Sequence, residues 1–237
     1  MRPTITRLLR CRTALSLVEW PIAAAAILLA AALAIAIWPE HPQVEYSEAQ
    51  PAQTAPPLPP GPPWTHGRSD ARFTITVYAD FECPYCRDYV PQLVRWVAAT
   101  PDVSLQWHHL PLQAHDPAAS QEARLAECAG NERGHAGFWH AVDWIYAHTL
   151  AEGRGVPNGD RYPDMTPSMQ TCLTGEKAEA TVSQQARQAA DEGVTGTPTL
   201  RLRDHTSGKE MRLSGAVPAD ALMSALDLLA SPVPPQR

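Results

Sequence analysis

The stretch that most constrains this chain is Phe73 to Cys86, which reads Phe-Thr-Ile-Thr-Val-Tyr-Ala-Asp-Phe-Glu-Cys-Pro-Tyr-Cys. Up to its closing alanine, the first part is all β-branched or aromatic, the composition of a buried strand. A short acidic turn follows, and then Tyr89, Leu93, Val94 and Val97 recur at helical spacing. Cys83 therefore stands where a strand gives way to a helix. Pro84 falls in the first turn, where its missing N–H is one the helix would leave unpaired anyway. A sulfur at that point faces free backbone N–H groups and the positive end of the helix dipole, and both favour thiolate over thiol. Thiolate is the form that attacks disulfides. Cys86 lies one helical turn further on the same face, so the two sulfurs can close a ring. The pattern predicts a redox dithiol of Cys83 and Cys86, with Pro84 and Tyr85 as the active-site loop between them.

Other uses of a Cys-x-x-Cys motif fit less well. Half a zinc site needs a second pair or a histidine at ligand spacing, and the remaining cysteines, Cys11, Cys128 and Cys172, are far apart. A purely structural disulfide across so small a loop gains little chain-entropy stabilisation. His108 and His109 alternate faces on a strand. His115, His135, His140 and His148 are scattered through a helical region, and a shared helix face for His140 and His148 supplies only two ligands. No metal and no other cofactor is expected. Trp139, Trp144 and Tyr146 read as core aromatics.

Ahead of the dithiol the chain changes character three times. Residues 1–20 carry Arg2, Arg7, Arg10 and Arg12 and read as a cytoplasmic basic segment. Residues 21–38 hold no charge and are half alanine, at the short end of what spans a bilayer. Arginines on one side, with Glu40, Glu45 and Glu48 on the other, orient this run N-in by the positive-inside rule. Trp20 and Trp38 bracket it as interfacial anchors. The expectation is a single-pass transmembrane anchor. A cleaved signal peptide is the alternative, because Ala32-Leu33-Ala34 and Ala34-Ile35-Ala36 resemble cleavage sites. Either reading exports the rest of the chain. Residues 39–63 hold nine prolines and no Lys or Arg, and predict an extended spacer of up to roughly 75 Å at about 3 Å per residue.

From Trp64 onward (64–237) the pattern is globular. Val103 to Leu110 is a second strand. Residues 117–193 show no strand pattern and predict helices over 118–130, 138–150, 167–173 and 177–192. Strands return at 199–203 and 211–214 around a turn at 204–209, and a last helix covers 218–230. This order predicts an α/β fold, a mixed sheet flanked by helices, with a helical subdomain inserted at about 112–193. The formal charge is −6 and arginines cluster only at the extreme N-terminus, which argues against nucleic acid as a partner.

Three segments carry a family resemblance. They are Tyr78-Ala79-Asp80-Phe81-Glu82-Cys83-Pro84-Tyr85-Cys86, then Ala126-Glu127-Cys128-Ala129 with Gly137-Phe138-Trp139, then Gly193-Val194-Thr195-Gly196-Thr197-Pro198-Thr199-Leu200. Together they resemble the DsbA-like branch of the thioredoxin superfamily, from about Gly67 to the C-terminus. The resemblance implies a thioredoxin-like fold and a protein thiol:disulfide oxidoreductase. It assigns Thr197 and Pro198 to substrate binding, with Pro198 in cis against the dithiol and Thr197 offering its backbone to an extended client. It implies a membrane redox partner, either DsbB-like and quinone-linked or a DsbD-like donor. It also places the catalytic domain in the periplasm, tethered to the inner membrane, or soluble there if the N-terminus is cleaved.

In that oxidising compartment Cys128 and Cys172 are expected to pair as a structural disulfide. The alternative is two buried thiols behaving as small apolar side chains. The chain departs from the family at Val77, where many members carry a buried acid six residues before the first cysteine. Asp80 and Glu82 stand nearby and read as solvated turn residues. A negative charge beside Cys83 would oppose its thiolate, working against the helix terminus.

The function expected is disulfide exchange on cysteines of exported proteins, in the oxidising direction, because only a proline spacer stands where the isomerases carry a dimerisation domain. Isomerase or reductase activity is the first alternative. The second is a non-catalytic thioredoxin-like factor that binds one client in an envelope assembly or secretion system.

Overall fold

The computed structural model of the chain describes residues 55–232. The anchor and most of the spacer read from the sequence lie outside the described residues. Among the described residues no helix is long and apolar enough to cross a membrane.

Five strands, β1 (Thr65–His66), β2 (Phe73–Ala79), β3 (Val103–His109), β4 (Thr199–Asp204) and β5 (Glu210–Ser214), form one sheet in the order β1-β3-β2-β4-β5. β2 and β3 run parallel, from Phe73 opposite Val103 to Ala79 opposite His109, and the other neighbours are antiparallel. β2 takes the centre because every one of its residues can be buried, and all are. Alternation sends its side chains to two faces. Phe73, Ile75, Val77 and Ala79 join the main core, while Tyr78 packs with Leu110, Ala189 and Val194 on the opposite face. A strand covered on both faces has to read as a continuous apolar or β-branched run.

The helices are α1 (Pro84–Ala98), α2 (Ala118–His148), α3 (Pro167–Thr174), α4 (Glu176–Asp191) and α5 (Ala219–Ala230). Leu93 of α1, Phe138 of α2 and Leu226 of α5 enter the main core, and Ala189 of α4 caps the other face. This is the mixed, helix-covered sheet that the order of elements predicts. Two details differ. The two-residue β1 is too short for any periodicity to announce it. The helices predicted at 118–130 and 138–150 are the two halves of α2, but Gly130-Asn131 stays helical. The chain leaves helical geometry at Arg133 (φ −127°, ψ 17°) and Gly134 (φ 65°, ψ −157°) instead, the latter a left-handed position that glycine tolerates.

Gly130 serves packing rather than a break. Trp64, 1% exposed, stacks on Phe138 with ring centroids 5.4 Å apart. Its ring lies so close that a Cβ on Gly130 would sit 2.6 Å from it. The Trp64 indole N–H donates to Glu127 Oε1 at 2.8 Å, and His109 Nε2 reaches the same oxygen at 3.0 Å. Trp107 Nε1–H donates to His109 Nδ1 at 2.9 Å, which leaves the His109 hydrogen on Nε2 to meet Glu127. Gly130→Ala forces the indole off this network. It is expected to destabilise the protein by about 2 kcal/mol, the scale of overpacking a filled core, read as a lower urea midpoint.

Residues 55–63, read from the sequence as spacer, make hydrogen bonds to the domain. Pro59 O accepts from His135 Nε2 at 2.7 Å, and His135 Nδ1 accepts the Thr65 N–H at 2.9 Å. On the insert, α2 and α3 are joined by a disulfide between Cys128 and Cys172, with Cα atoms 5.8 Å apart.

Candidate active site

β2 ends at Ala79, and the turn Asp80-Phe81-Glu82 carries the chain to Cys83, the N-cap of α1, with Pro84 opening the helix. Cys83 and Cys86 are both free thiols. Their access differs, since Cys83 keeps 3% of its surface and Cys86 none, so a client sulfur meets Cys83 first. Cys83 is thus more enclosed than a sulfur standing open at the helix mouth. Tyr85, between the two, is 70% exposed. From far along the chain, the cis Thr197–Pro198 peptide closes over the dithiol, and Thr197 O accepts the Cys83 thiol at 3.4 Å. Cys83, Pro84, Tyr85, Cys86, Thr197 and Pro198 therefore form one cluster, while the Cys128–Cys172 bridge lies apart on the insert. A cleft of about 290 Å³ runs along Gly193 to Thr199. An apolar groove of about 400 Å³ lies between Tyr85, Tyr89 and Trp96 on one side and Val217, Pro218 and Leu222 on the other.

The two sulfurs are electrostatically unlike. The Cys83 pKa falls from an ordinary 9.0 to about 6. The largest cause is the Cys86 thiol donating to its sulfur, followed among the favourable ones by Thr197 and the backbone N–H groups of Cys86 and Tyr85, against the desolvation of burial. Cys86 is driven well up, first by burial and then by its neighbour's sulfur. The contest between helix terminus and nearby acids is decided for the thiolate. At pH 7 roughly 90% of Cys83 is thiolate with a pKa near 6, against a few per cent for an ordinary cysteine. Iodoacetamide alkylation of Cys83 is expected to rise with pH through a midpoint near 6 and then level off; a midpoint above 8 would contradict this. Linkage fixes the sign for the reduced protein. A folded pKa below the unfolded one contributes stability fully present above about 9 and lost as pH falls through about 6.

Asp80 and Glu82 are not solvated turn residues; they are 1% and 0% exposed. Asp80 Oδ1 accepts the Glu82 N–H at 2.7 Å, and Oδ2 accepts from Leu112 N at 2.9 Å and His115 Nδ1 at 2.6 Å. Burial pushes the Asp80 pKa up while these donors pull it back. Glu82 accepts from Gly155 N at 2.9 Å and from the Thr149 hydroxyl, and its backbone oxygen takes the Glu152 N–H at 2.7 Å. The two acids are thus the stitches between the redox turn and the inserted subdomain. Their donors come from segments distant in sequence, so nothing local marks them as buried. The side-chain acceptor two residues ahead of the Glu82 N–H is the one legible signal, since aspartate often closes such turns.

Among the described residues, several further histidines have structural partners. His108 Nε2 meets Gln185 O at 2.8 Å, His140 pairs with Tyr162 and Asp164, and His148 bonds Trp144 O. Among the described residues no cluster of three or more His, Cys, Asp or Glu side chains is arranged to hold a metal ion.

A thioredoxin family sequence model matches residues 60–219. The chain belongs to the thioredoxin family. Within it, the crystal structure of Pseudomonas aeruginosa DsbA2 aligns with a TM-score of 0.68 and 40% identity over 73% of this chain and 97% of that one, which puts the chain in the DsbA-like branch. A periplasmic thioredoxin-like protein from Salmonella enterica serovar Typhimurium shares the fold, with a TM-score of 0.53 and 24% identity over 70% of this chain and 90% of that one. Among curated proteins, Na(+)/H(+) antiporter NhaA 1 of Salinispora arenicola is 29% identical over 64% of this chain and 24% of its own length. NhaA 3 of Salinispora tropica is 29% identical over 56% of this chain and 20% of its own length. The chain spans about a quarter or less of these relatives. In this DsbA-like thioredoxin protein Val77 lies wholly in the apolar core, 0% exposed.

Proposed function

We propose that this protein is a thiol–disulfide oxidoreductase that oxidises cysteines of exported proteins. The observation that carries the reading is the asymmetry of the dithiol. One sulfur is reachable and prefers the thiolate, the other is sealed and prefers the thiol. In the oxidising cycle a client thiolate attacks Cys83 Sγ of the Cys83–Cys86 disulfide. A client–Cys83 bond forms, the Cys83–Cys86 bond breaks, and Cys86 leaves with the electron pair and takes up a proton. A second client thiolate then attacks the client sulfur of the mixed disulfide. Cys83 leaves as a thiolate, the client gains its disulfide, and the dithiol holds the two electrons. A low leaving-group pKa speeds that last step, and a stabilised thiolate makes the disulfide form the stronger oxidant.

Thr197 O and the cis-Pro198 loop supply the edge on which an extended client lies, and the apolar groove beside Tyr85 receives its side chains. The Cys128–Cys172 bridge fits a compartment where disulfides persist, in keeping with export by residues 21–38 and tethering to the inner membrane. Recycling then falls to a membrane partner of the DsbB-like, quinone-linked kind. Equilibration with glutathione tests the direction. A potential near that of DsbA, about −120 mV, is expected; one as low as thioredoxin's, about −270 mV, would make the protein a reductase or isomerase.

A further inference from the structure

One buried acid is used by neither the dithiol nor its turn. Glu122, in the first half of α2, is 5% exposed, yet neither of its carboxyl oxygens has a hydrogen-bond partner among the described residues. Its polar neighbours are the Glu82 carboxyl and the Thr149 hydroxyl. That hydroxyl already donates to Glu82, so it has no hydrogen left for Glu122. Two carboxylates in contact, both out of water, do not ionise together. A single proton turns Glu122 from an orphan acceptor into a donor to Glu82 and removes one of the two facing charges.

The surroundings favour that proton. Glu82 and Asp80 face Glu122 from the turn after β2, and Tyr146 from the second half of α2. His115 is held by Asp80 rather than by Glu122. Arg154, Asp160 and Arg161 also line the cavity, as does Arg124, two residues on from Glu122, whose guanidinium is turned to Leu173 O and Glu179. None of these cations pairs with Glu122. Burial first, and then the Glu82 charge, push the Glu122 pKa up to about 9. Glu122 and Gly155 also line a cavity of about 990 Å³ within the helical subdomain. This sets Glu122 beside a route to solvent that does not pass the sulfurs, although its carboxyl oxygens are themselves covered.

We propose that Glu122 is a positioning residue for the redox turn, holding one proton against Glu82 and exchanging it with solvent through the cavity of the inserted subdomain. The acid that immediately precedes Cys83 then keeps a single charge shared with Glu122. When Glu122 gives its proton to water or hydroxide, a second negative charge appears beside Glu82. The Cys83 thiolate loses stability, and the turn loses a bond to the insert. This role rests on the redox reading, but the proton itself does not.

The test uses the full chain, as wild type and Glu122→Gln, whose amide still donates to Glu82 but has no proton to lose. The glutathione equilibrium and the 240 nm thiolate absorbance are followed from pH 5 to pH 10. The two proteins are expected to agree below pH 8 and to diverge by about threefold or more in equilibrium constant by pH 10, the wild type becoming the weaker oxidant. Superimposable profiles, or a constant ratio at every pH, would overturn the proposal. In wild type alone, the carboxyl carbon-13 shift of Glu122 is expected to titrate above pH 7, and a midpoint below 6 would overturn it even if the variant does not fold. A wild-type dithiol that never equilibrates with glutathione removes the positioning role by removing the redox reading. That failure is told apart because the carboxyl titration is read independently.

Discussion

Cys83→Ser in the full chain will bring thiol–disulfide exchange to the uncatalysed rate, a loss of roughly a thousandfold or more, the scale on which removing a nucleophile acts. The serine oxygen neither ionises at neutral pH nor forms a bond to a client sulfur that a second thiol can exchange. Cys86→Ser is expected to behave differently. Cys83 keeps its exposed sliver and its neighbours at Thr197, so it still attacks, but the partner that resolves the mixed disulfide is gone. Clients should therefore accumulate on Cys83 as covalent adducts, visible on non-reducing gels and released by dithiothreitol. Part of the Cys83 activation is lost as well, because the Cys86 thiol is the largest contributor to its low pKa. Unchanged biological activity in Cys83→Ser would instead favour a client-binding factor that holds its partner without chemistry.

The second large effect concerns the insert. Cys128 and Cys172 are 44 residues apart in sequence and joined, so their bridge closes a long loop in the unfolded chain. On the chain-entropy account that constraint is worth up to about 4 kcal/mol. Replacing both with alanine is expected to lower stability by that order, with the loss read as a urea midpoint shift at unchanged slope. Because Cys128 is 1% exposed, some of the loss also reflects core packing. Peptide mapping without reductant supplies the direct check. A Cys128 that alkylates in the unfolded, unreduced protein would show that no bridge had formed, and the stability argument would fall with it.

The dithiol was legible because its cues are local. A run from Phe73 to Ala79 that suits a buried strand, a change to helical spacing after Cys86 and Pro84 in the first turn all depend on near neighbours. The alternation of α and β elements likewise carried the mixed sheet. Thr197 and Pro198 were legible only through family resemblance, since nothing in a Gly-Thr-Pro segment says that it meets a sulfur 114 positions away. That α2 breaks at Arg133 and Gly134 and not at Gly130 was illegible for a related reason. That glycine is required by the Trp64 ring lying on it, and the ring comes from another part of the chain.

What the amino-acid order determined by itself is the placing of a nucleophile at the mouth of a helix, with its partner one turn on. Dihedral preferences and hydrophobic period are short-range properties, and they survive in any context that lets the segment fold. What only the tertiary structure decided is the charge around that nucleophile. Asp80, Glu82 and Glu122 look alike in the sequence as polar residues near turns or on a helix. Desolvation and the supply of hydrogen-bond donors are set by whatever packs on top, here the insert and the loop at residues 149–155. Those long-range contacts made three ordinary acids into buried ones, while Thr197, equally distant in sequence, adds to the helix's own groups in favouring the Cys83 thiolate.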